Sequence, residues 1–316
     1  MKISVLDAST LGADISYTAL RELGETVLYQ NTAPDEVATN IADSEVIIVN
    51  KIKLNESNLK DADHLKLICV AATGYDNIDI AYCRKKGIAV CNVVGYSTNS
   101  VAQVTLAMAL SLSTNLSSFT QFVSSGDYTK SGIANKLTPV YHELDGKVWG
   151  VVGLGNIGKQ VARVAKAMGC RVISFKRIPD REFPCCNLSY QFQHADIISV
   201  HLPLTDETKG IISKDLIETM KENAILINVA RGAVTDEAAL ADAVLNGKIG
   251  GFGADVYSVE PFPAGHPYEK ILHLPNVCLT PHMAWGAFES RCRCLDEIVL
   301  NIQSFLRGEL RNRLDQ

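Results

Sequence analysis

The chain alternates short apolar runs with amphipathic segments, and this alternation predicts its fold. In the first part, five apolar runs have the length of strands: KISVLDA, TVLYQ, EVIIVN, LKLICVAA and IAVCNVV. The segments between them, such as residues 14–23, have helical periodicity. Continuous apolar runs bounded by polar segments are typical of strands covered on both faces, as in a parallel sheet. We therefore predict an α/β domain that ends near residue 96.

The same alternation restarts after a helix and a loop. Residues 100–123 have the pattern of one long helix, which a polar, glycine-containing loop follows. Six more strand candidates come next, before a last helix over residues 287–306: KVWGVVGLG, RVISFK, ADIISVHL, AILINVA, GGFGADVY and NVCLTPH. The expected fold class is α/β, with two Rossmann-like domains on doubly wound parallel sheets. A cleft between two such domains is the natural place for a ligand.

Composition and charge narrow the range of functions. A length of 316 residues suits two domains, and 47% hydrophobic with 21% charged residues is ordinary for a globular protein. The net charge of −5 gives no general reason to expect a nucleic acid or an anionic membrane as partner. No apolar stretch is long enough to span a bilayer.

The cysteines and the N-terminus favour a cytoplasmic protein. Nine scattered cysteines are an odd number, which argues against a disulfide scaffold and favours reduced thiols. Their spacing matches no zinc site, so we expect no metal. The chain starts with MKISVLDAST, which enters a strand pattern without the basic and long apolar regions of a signal peptide.

A glycine-rich motif indicates a dinucleotide site. Gly153, Gly155 and Gly158 form G-x-G-x-x-G between an apolar strand and a helical pattern, which is the context that the motif requires. Gly153 allows the tight turn, Gly155 lets the backbone approach a pyrophosphate, and Gly158 lets the helix pack closely on the strand. The alternative is a glycine turn that binds nothing.

The end of the next strand bears on the choice of cofactor. Lys176 and Arg177 follow RVISF, where an NAD site carries an acidic residue on the ribose hydroxyls. Two cations attract a 2′-phosphate, so the sequence favours NADP(H), with NAD(H) possible. Alternatively both are solvated loop residues, and nearby Asp180 binds a ribose.

Three charged or titratable residues follow strands of the second sheet. Arg231 follows AILINVA, Glu260 lies past GGFGADVY, and His282 ends VCLTPH. An arginine can hold and polarise a 2-keto acid, and a histidine can donate the proton that accompanies hydride transfer. A carboxylate bound to the other nitrogen of the histidine ring would orient the ring and stabilise its protonated form. Taken singly, each could be structural: a helix cap, a surface loop residue and a satisfied histidine.

The ordered motifs resemble one family over nearly the whole chain. They are VAATGYDNID (70–79), NVVGYSTNSVAQ (92–103), VVGLGNIG (151–158), HLPLTDETKGII (201–212), LINVARGAVTDEAAL (226–240), ADVYSVEP (254–261) and TPHMAW (280–285). The chain resembles the D-isomer-specific 2-hydroxyacid dehydrogenases. The resemblance implies that Arg231 binds the substrate carboxylate and keto oxygen, and that Glu260 pairs with His282, the acid/base.

The resemblance also implies binding residues that pattern alone does not show. The expected substrate-binding residues beyond Arg231 and His282 are Thr73, Gly74 and Tyr75, which cradle the carboxylate, and Trp285, which walls the pocket or packs between domains. The expected cofactor-binding residues, besides the glycines and the two cations, are Asn156, Ile157, Leu202, Pro203, Val229, Ala230 and Asp255. His201 is expected on the adenosine side or in the core, and Asp255 could instead cap a turn.

The family resemblance further implies domain boundaries, oligomeric state and substrate. Residues 1–98 with 287–316 would form the substrate-binding domain, and residues 99–286 the dinucleotide-binding domain. A homodimer is expected, with the helix near residues 100–123 at its interface. Three motifs are most similar to the glycerate dehydrogenase/hydroxypyruvate reductase branch, which implies hydroxypyruvate or glyoxylate as substrate. The alternatives are a bulkier 2-keto acid, such as phenylpyruvate, and a nucleotide-sensing protein without turnover.

Overall fold

The computed structural model describes residues 1–178 and 180–316, and the chain divides into two compact units. Met1–Ser97 and Trp285–Gln316 form the first unit, and Thr98–Ala284 form the second. Each unit contains one parallel sheet, and each predicted apolar run contains a strand. The predicted fold class, α/β with two parallel-sheet domains, is therefore confirmed.

The first unit has a five-stranded sheet in the order β2-β1-β3-β4-β5. Its strands are β1 (Lys2–Val5), β2 (Glu25–Leu28), β3 (Val46–Val49), β4 (Leu67–Val70) and β5 (Ala89–Cys91). The helices between them are α1 (Thr18–Leu23), α2 (Val37–Ile41), α3 (Glu56–Leu59) and α4 (Ile80–Lys86), with a 3₁₀ turn at Ala8–Leu11. The helix predicted from residue 14 thus begins only at Thr18.

The second unit has a six-stranded parallel sheet. Its strands are β6 (Val148–Val152), β7 (Arg171–Phe175), β8 (Ile197–Val200), β9 (Ile225–Asn228), β10 (Gly251–Ala254) and β11 (Val277–Leu279). Its helices are α5 (Thr98–Ser113), α6 (Leu116–Ser124), α7 (Asp127–Ser131), α8 (Asn156–Ala167), α9 (Leu188–His194), α10 (Lys214–Glu218) and α11 (Glu237–Leu245), with 3₁₀ turns at Gly232–Val234 and Pro267–Ile271.

The strand order of this sheet identifies where a ligand belongs. The order is β11-β10-β9-β8-β6-β7, so the chain leaves β6 towards β7 on one side and later returns to β8 on the other. In open parallel sheets, ligands bind beyond the carboxyl ends of the strands at such a switch point. The segments that follow β6 and β8 are therefore the expected centre of a binding site.

Burial on both faces explains why the strands are continuously apolar. In the first unit, Val46 and Ile48 pack on one face of the sheet with α12 (Phe288–Leu306), whereas Ile47 and Val49 pack on the other face with α2. Burying each such side chain stabilises the fold by roughly 1.5–3 kcal/mol. Within residues 1–178 and 180–316, no helix has both the length and the apolar character needed to cross a membrane.

The single helix predicted over residues 100–123 is wrong. α5 ends at Ser113 and α6 begins at Leu116, with Asn115 between them at φ 52° and ψ 34°. Asparagine tolerates this left-handed conformation better than most residues. The Nδ2 atom of Asn115 also donates to the Val140 carbonyl oxygen at 3.3 Å. Because the apolar pattern continues across the break, it could not reveal the second helix.

Candidate active site

A glycine turn joins β6 to α8 at the switch point of the second sheet. Gly153 has φ 97°, and a Cβ atom on it would lie 2.8 Å from the carbonyl carbon of His201. A Cβ atom on Gly158 would lie 2.2 Å from the Gly153 carbonyl oxygen. Both positions therefore require glycine.

The same turn leaves room for an anion. Around Gly155, no heavy atom of the described residues lies within 4 Å of an added Cβ atom. Gly155 precedes the 12-residue helix α8, whose first turn contains Asn156 and Ile157. Main-chain N–H groups at a helix N-terminus bind phosphate, so this open cradle fits a dinucleotide pyrophosphate.

His201, directly after β8, is a partly buried histidine whose ring lies against Ser199. Its Nε2 atom lies 3.0 Å from Ser199 Oγ, which also accepts a hydrogen bond from Trp149 Nε1 at 3.0 Å. Its Nδ1 atom is buried and has no hydrogen-bond partner among the described residues. Burial lowers the pKa of His201 from 6.5 to about 3. Leu202 and Pro203 follow it, the first partly buried and the second exposed.

A basic cluster lies beyond β7. We give this name to Lys159, Arg163, Lys176 and Arg177 with the carboxylates of Asp180 and Glu182. Oδ2 of Asp180 lies 2.8 Å from Lys159 Nζ and 3.4 Å from Lys176 Nζ. These ammonium groups, Lys159 foremost, lower the pKa of Asp180 to about 2. Arg163 binds Glu182 through two hydrogen bonds, of 2.8 and 2.9 Å.

Glu260 and His282 form a hydrogen-bonded carboxylate–imidazole pair at the carboxyl ends of β10 and β11. Oε2 of Glu260 lies 2.5 Å from Nδ1 of His282, and the main-chain N–H of Tyr257 donates to Oε1 of Glu260 at 3.0 Å. The side chains are 29% and 21% exposed, so both remain partly accessible to solvent. His282 has φ 53°, an uncommon conformation that often occurs at functional sites.

Arg231 follows β9, the neighbour of β10 in the sheet. Its Nη1 atom donates to the Ala230 carbonyl oxygen at 2.9 Å, and the residue is partly buried. The next residue, Gly232, packs against the loop of Glu260: its Cβ atom would lie 2.0 Å from the carbonyl carbon of Tyr257. The three residues predicted to be catalytic thus occupy adjoining loops on three neighbouring strands.

Asp255 organises the turn that carries His282. Its carboxylate accepts hydrogen bonds from Thr280 Oγ1 at 2.5 Å and from the main-chain N–H groups of Met283 and Ala284, both at 2.8 Å. Burial raises the pKa of Asp255, and these hydrogen bonds oppose the rise. The turn-capping alternative for Asp255 therefore has a structural basis, and its cofactor contact stays a prediction. Val229 and Ala230, which follow β9, are partly buried and buried.

The remaining predicted substrate residues belong to the first unit. Thr73 is held by two hydrogen bonds. Its Oγ1 donates to the Val93 carbonyl oxygen at 2.8 Å, and Asn92 Nδ2 donates to the Thr73 carbonyl oxygen at 2.7 Å. Gly74 and the half-exposed Tyr75 follow in the same loop. Trp285 packs edge-on against Tyr96, with ring centroids 6.2 Å apart, at the core of this unit.

Two residues with structural links to the site carry no sequence signal. Lys159 shares Asp180 with Lys176, although it lies on α8, and Glu237 on α11 binds the loop of Glu260. Each lies 21 positions from its partner. Charged residues on helices are usually solvated, so neither stands out before the elements are placed in space.

Comparison with known proteins gives consistent matches. Residues 106–284 match the family model described as D-isomer specific 2-hydroxyacid dehydrogenase, NAD binding domain. The hydroxypyruvate reductase of Blautia hydrogenotrophica is 33% identical over 98% of this chain and 98% of its own length. The glycerate dehydrogenase of Methylorubrum extorquens is 34% identical, again over 98% of both chains.

A solved structure extends the match to three dimensions. The NADPH-dependent glyoxylate/hydroxypyruvate reductase of Sinorhizobium meliloti, in complex with NADP and malonate, is similar with a TM-score of 0.85. It is 29% identical, and the match covers 99% of this chain and 96% of that one. The similarity therefore includes both units.

Proposed function

Because this chain belongs to the D-isomer-specific 2-hydroxyacid dehydrogenase family, as its motifs predict, we propose that it reduces hydroxypyruvate, glyoxylate or a related small 2-keto acid, with NADPH as the preferred hydride donor. As a member of this family, the chain is a nicotinamide-dependent oxidoreductase that acts on 2-hydroxy acids. The observation that carries the proposal is the 2.5 Å contact between Glu260 and His282. A carboxylate–imidazole pair of this kind, partly exposed and close to the loop of Arg231, is suited to proton transfer.

Each residue of the trio has a distinct role in this proposal. A bound nicotinamide supplies the hydride to C2 of the substrate. Arg231 binds the carboxylate and polarises the keto oxygen with its forked donors. His282, whose Nδ1 is bound to Glu260, donates a proton from Nε2 to that oxygen. Glu260 stabilises the imidazolium before transfer, and the neutral ring regains its proton from water.

The basic cluster supports the preference for NADPH. Its four cations and two carboxylates leave an excess of positive charge beyond β7, where the adenosine ribose lies in Rossmann sites. We assign the 2′-phosphate to Lys176, Arg177 and Lys159. Because Asp180 already binds two ammonium groups, it is a poor partner for a ribose hydroxyl. The glycine turn and the segments of Leu202, Val229 and Asp255 would hold the rest of the cofactor.

The first unit would bind the substrate carboxylate, and the second unit the dinucleotide. The loop of Thr73, Gly74 and Tyr75 is fixed by the two hydrogen bonds of Thr73. A fixed loop suits the binding of a substrate carboxylate by main-chain groups. Trp285 would limit the size of the substrate side chain.

We further propose a homodimer in the cytoplasm. α6 and the segment after it expose large apolar side chains: Leu116 is 55%, Val123 59% and Leu137 76% exposed. Such a surface is typical of a subunit interface. All nine cysteines are free thiols, which suits a reducing compartment. Sedimentation should give twice the chain mass for the wild type and the monomer mass for Val123→Glu; a wild-type monomer would refute the dimer.

The test of substrate is a steady-state screen of 2-keto acids with NADH and NADPH. Hydroxypyruvate or glyoxylate should be reduced fastest, and His282→Ala should lose most of the rate. His273→Ala, which changes an exposed histidine, is the matched control. Faster turnover of phenylpyruvate would replace the substrate class but keep the mechanism. Binding of NADPH without turnover of any 2-keto acid would sink the enzymatic proposal.

The test of cofactor preference is a charge reversal. Combining Lys176→Asp with Arg177→Ala removes partners of the 2′-phosphate, and one charge-assisted hydrogen bond contributes about 1.5–3 kcal/mol. We expect kcat/KM for NADPH to fall at least about tenfold while that for NADH is kept or rises. Lys85→Asp, an exposed charge reversal in the first unit, should change neither value. An unchanged preference in the double variant would refute the assignment.

A further inference from the structure

A second carboxylate lies buried behind the loop of Glu260. Glu237 is the first residue of α11, and its side chain is only 9% exposed. Oε1 accepts a hydrogen bond from the main-chain N–H of Ser258 at 2.9 Å, and Oε2 accepts from Ser258 Oγ and, at 3.1 Å, from His266 Nε2. A buried carboxylate is tolerated only with such a set of donors.

The tautomer of His266 shows that all three partners donate. The main-chain N–H of Tyr268 donates to Nδ1 of His266 at 3.2 Å, so Nδ1 carries no hydrogen. Nε2 then carries the hydrogen of the neutral ring and donates to Glu237. A carboxylate accepts from three donors at once. A glutamine amide at the same place would turn an NH₂ group towards at least one of them.

The two carboxylates hold successive peptide groups of one loop. The N–H of Tyr257 donates to Glu260, and the next N–H, that of Ser258, donates to Glu237. The Tyr257–Ser258 peptide, which carries the Ser258 N–H, can rotate only if its bond to Glu237 breaks, and such a rotation would also turn the preceding peptide that is bonded to Glu260. The other oxygen of Glu260 binds His282, so the orientation of this peptide is passed on to the imidazole.

We propose that Glu237 is a positioning residue for proton transfer: it fixes the Tyr257–Ser258 peptide and thereby holds the Glu260 carboxylate on Nδ1 of His282. This inference rests on the roles proposed above for Glu260 and His282. Glu237 acts through Ser258 and Glu260. Its removal should therefore slow the proton-transfer step and leave cofactor binding intact.

The first test is Glu237→Gln. Small misplacements of a catalytic group lower rates by up to about a hundredfold, so we expect kcat to fall roughly ten- to a hundredfold. The dissociation constant for NADPH, measured by fluorescence, should stay within about twofold. Asp236→Asn is the matched control, because it removes a charge from the adjacent position. Asparagine still caps α11 as Asp236 does through the Ala239 N–H, at 3.0 Å.

A double-mutant cycle with Glu260→Gln distinguishes positioning from general stability. If Glu237 acts through Glu260, Glu237→Gln should lower kcat only slightly further once Glu260 is replaced. Full additivity of the two losses in kcat would overturn the inference. If Glu237→Gln does not fold, Glu237→Asp enters the same cycle, since it keeps the carboxylate charge but shortens the side chain that accepts from the Ser258 N–H.

The outcomes separate this inference from the proposed function. Wild-type kcat in Glu260→Gln would refute the role proposed for Glu260. Impaired Glu260→Gln together with fully active Glu237→Gln would refute only the positioning role of Glu237. Impairment of both single variants without additivity supports both proposals.

Discussion

Acid should destabilise the second unit through His201. Burial lowers the pKa of this histidine to about 3, whereas in the unfolded chain it has the ordinary value of 6.5. The folded protein therefore keeps the ring neutral over a range of pH in which the unfolded chain binds a proton.

The sign and size of the effect follow from these two values. Between them the unfolded state binds more protons than the folded state, so stability falls as the pH falls through this range. Each unit of difference corresponds to about 1.36 kcal/mol. At about pH 5 the loss relative to neutral pH is therefore about 2 kcal/mol, and well below pH 3 it approaches about 5 kcal/mol.

Tryptophan fluorescence can follow this unit alone. The chain has two tryptophans, so Trp285→Phe leaves Trp149, which is hydrogen-bonded to Ser199 next to His201. In this background, urea unfolding at about pH 7 and about pH 5 gives the change in unfolding free energy. The loss of unfolding free energy from about pH 7 to about pH 5 should be about 2 kcal/mol larger in the protein that keeps His201 than in the His201→Gln variant. His194→Gln, which changes an exposed histidine, should behave like the wild type; equal losses with and without His201 would refute the reasoning.

Three further substitutions test the site itself. Gly158→Ala would place a Cβ atom 2.2 Å from the Gly153 carbonyl oxygen, and the dissociation constant for NADPH should rise about tenfold or more; unchanged affinity would contradict the role of the turn. Asp255→Asn turns an amide NH₂ group towards main-chain donors of the His282 turn, so the free energy of unfolding should fall by about 1–3 kcal/mol. The melting temperature and kcat should both fall, and a wild-type melting curve would speak against this. Arg231→Lys keeps the positive charge but loses the paired N–H donors of the guanidinium, so KM for the 2-keto acid should rise about tenfold. Steady-state rates at constant NADPH measure this, and an unchanged KM would contradict it.

The fold could be predicted because burial leaves a direct trace in the sequence. Strands such as Val46–Val49 are buried on both faces and are therefore apolar at every position. Breaks inside an apolar helical pattern leave no comparable trace. Asn115 separates α5 from α6 by its own backbone conformation, while the periodicity runs on across it.

The site could be predicted only as far as chemistry follows strand ends. Arg231, Glu260 and His282 come directly after strands or in the loop beyond one, so the parallel topology places them at one edge of the sheet. Contacts such as Glu237 with Ser258 depend on how a helix and a loop approach each other. A residue type and a spacing of 21 positions do not encode that approach.

The discontinuous first unit has a consequence for synthesis on the ribosome. Ile298 and Ile302 of α12 complete the core that begins with Ile3 and Val46, yet they are translated after the whole second unit. Because chains emerge from the N-terminus and domains fold as units, the unit that starts first is finished last. Until α12 emerges, the part of the sheet face that Ile298 and Ile302 cover stays open. The nascent chain therefore stays prone to aggregation, and in need of a chaperone, until α12 has been translated.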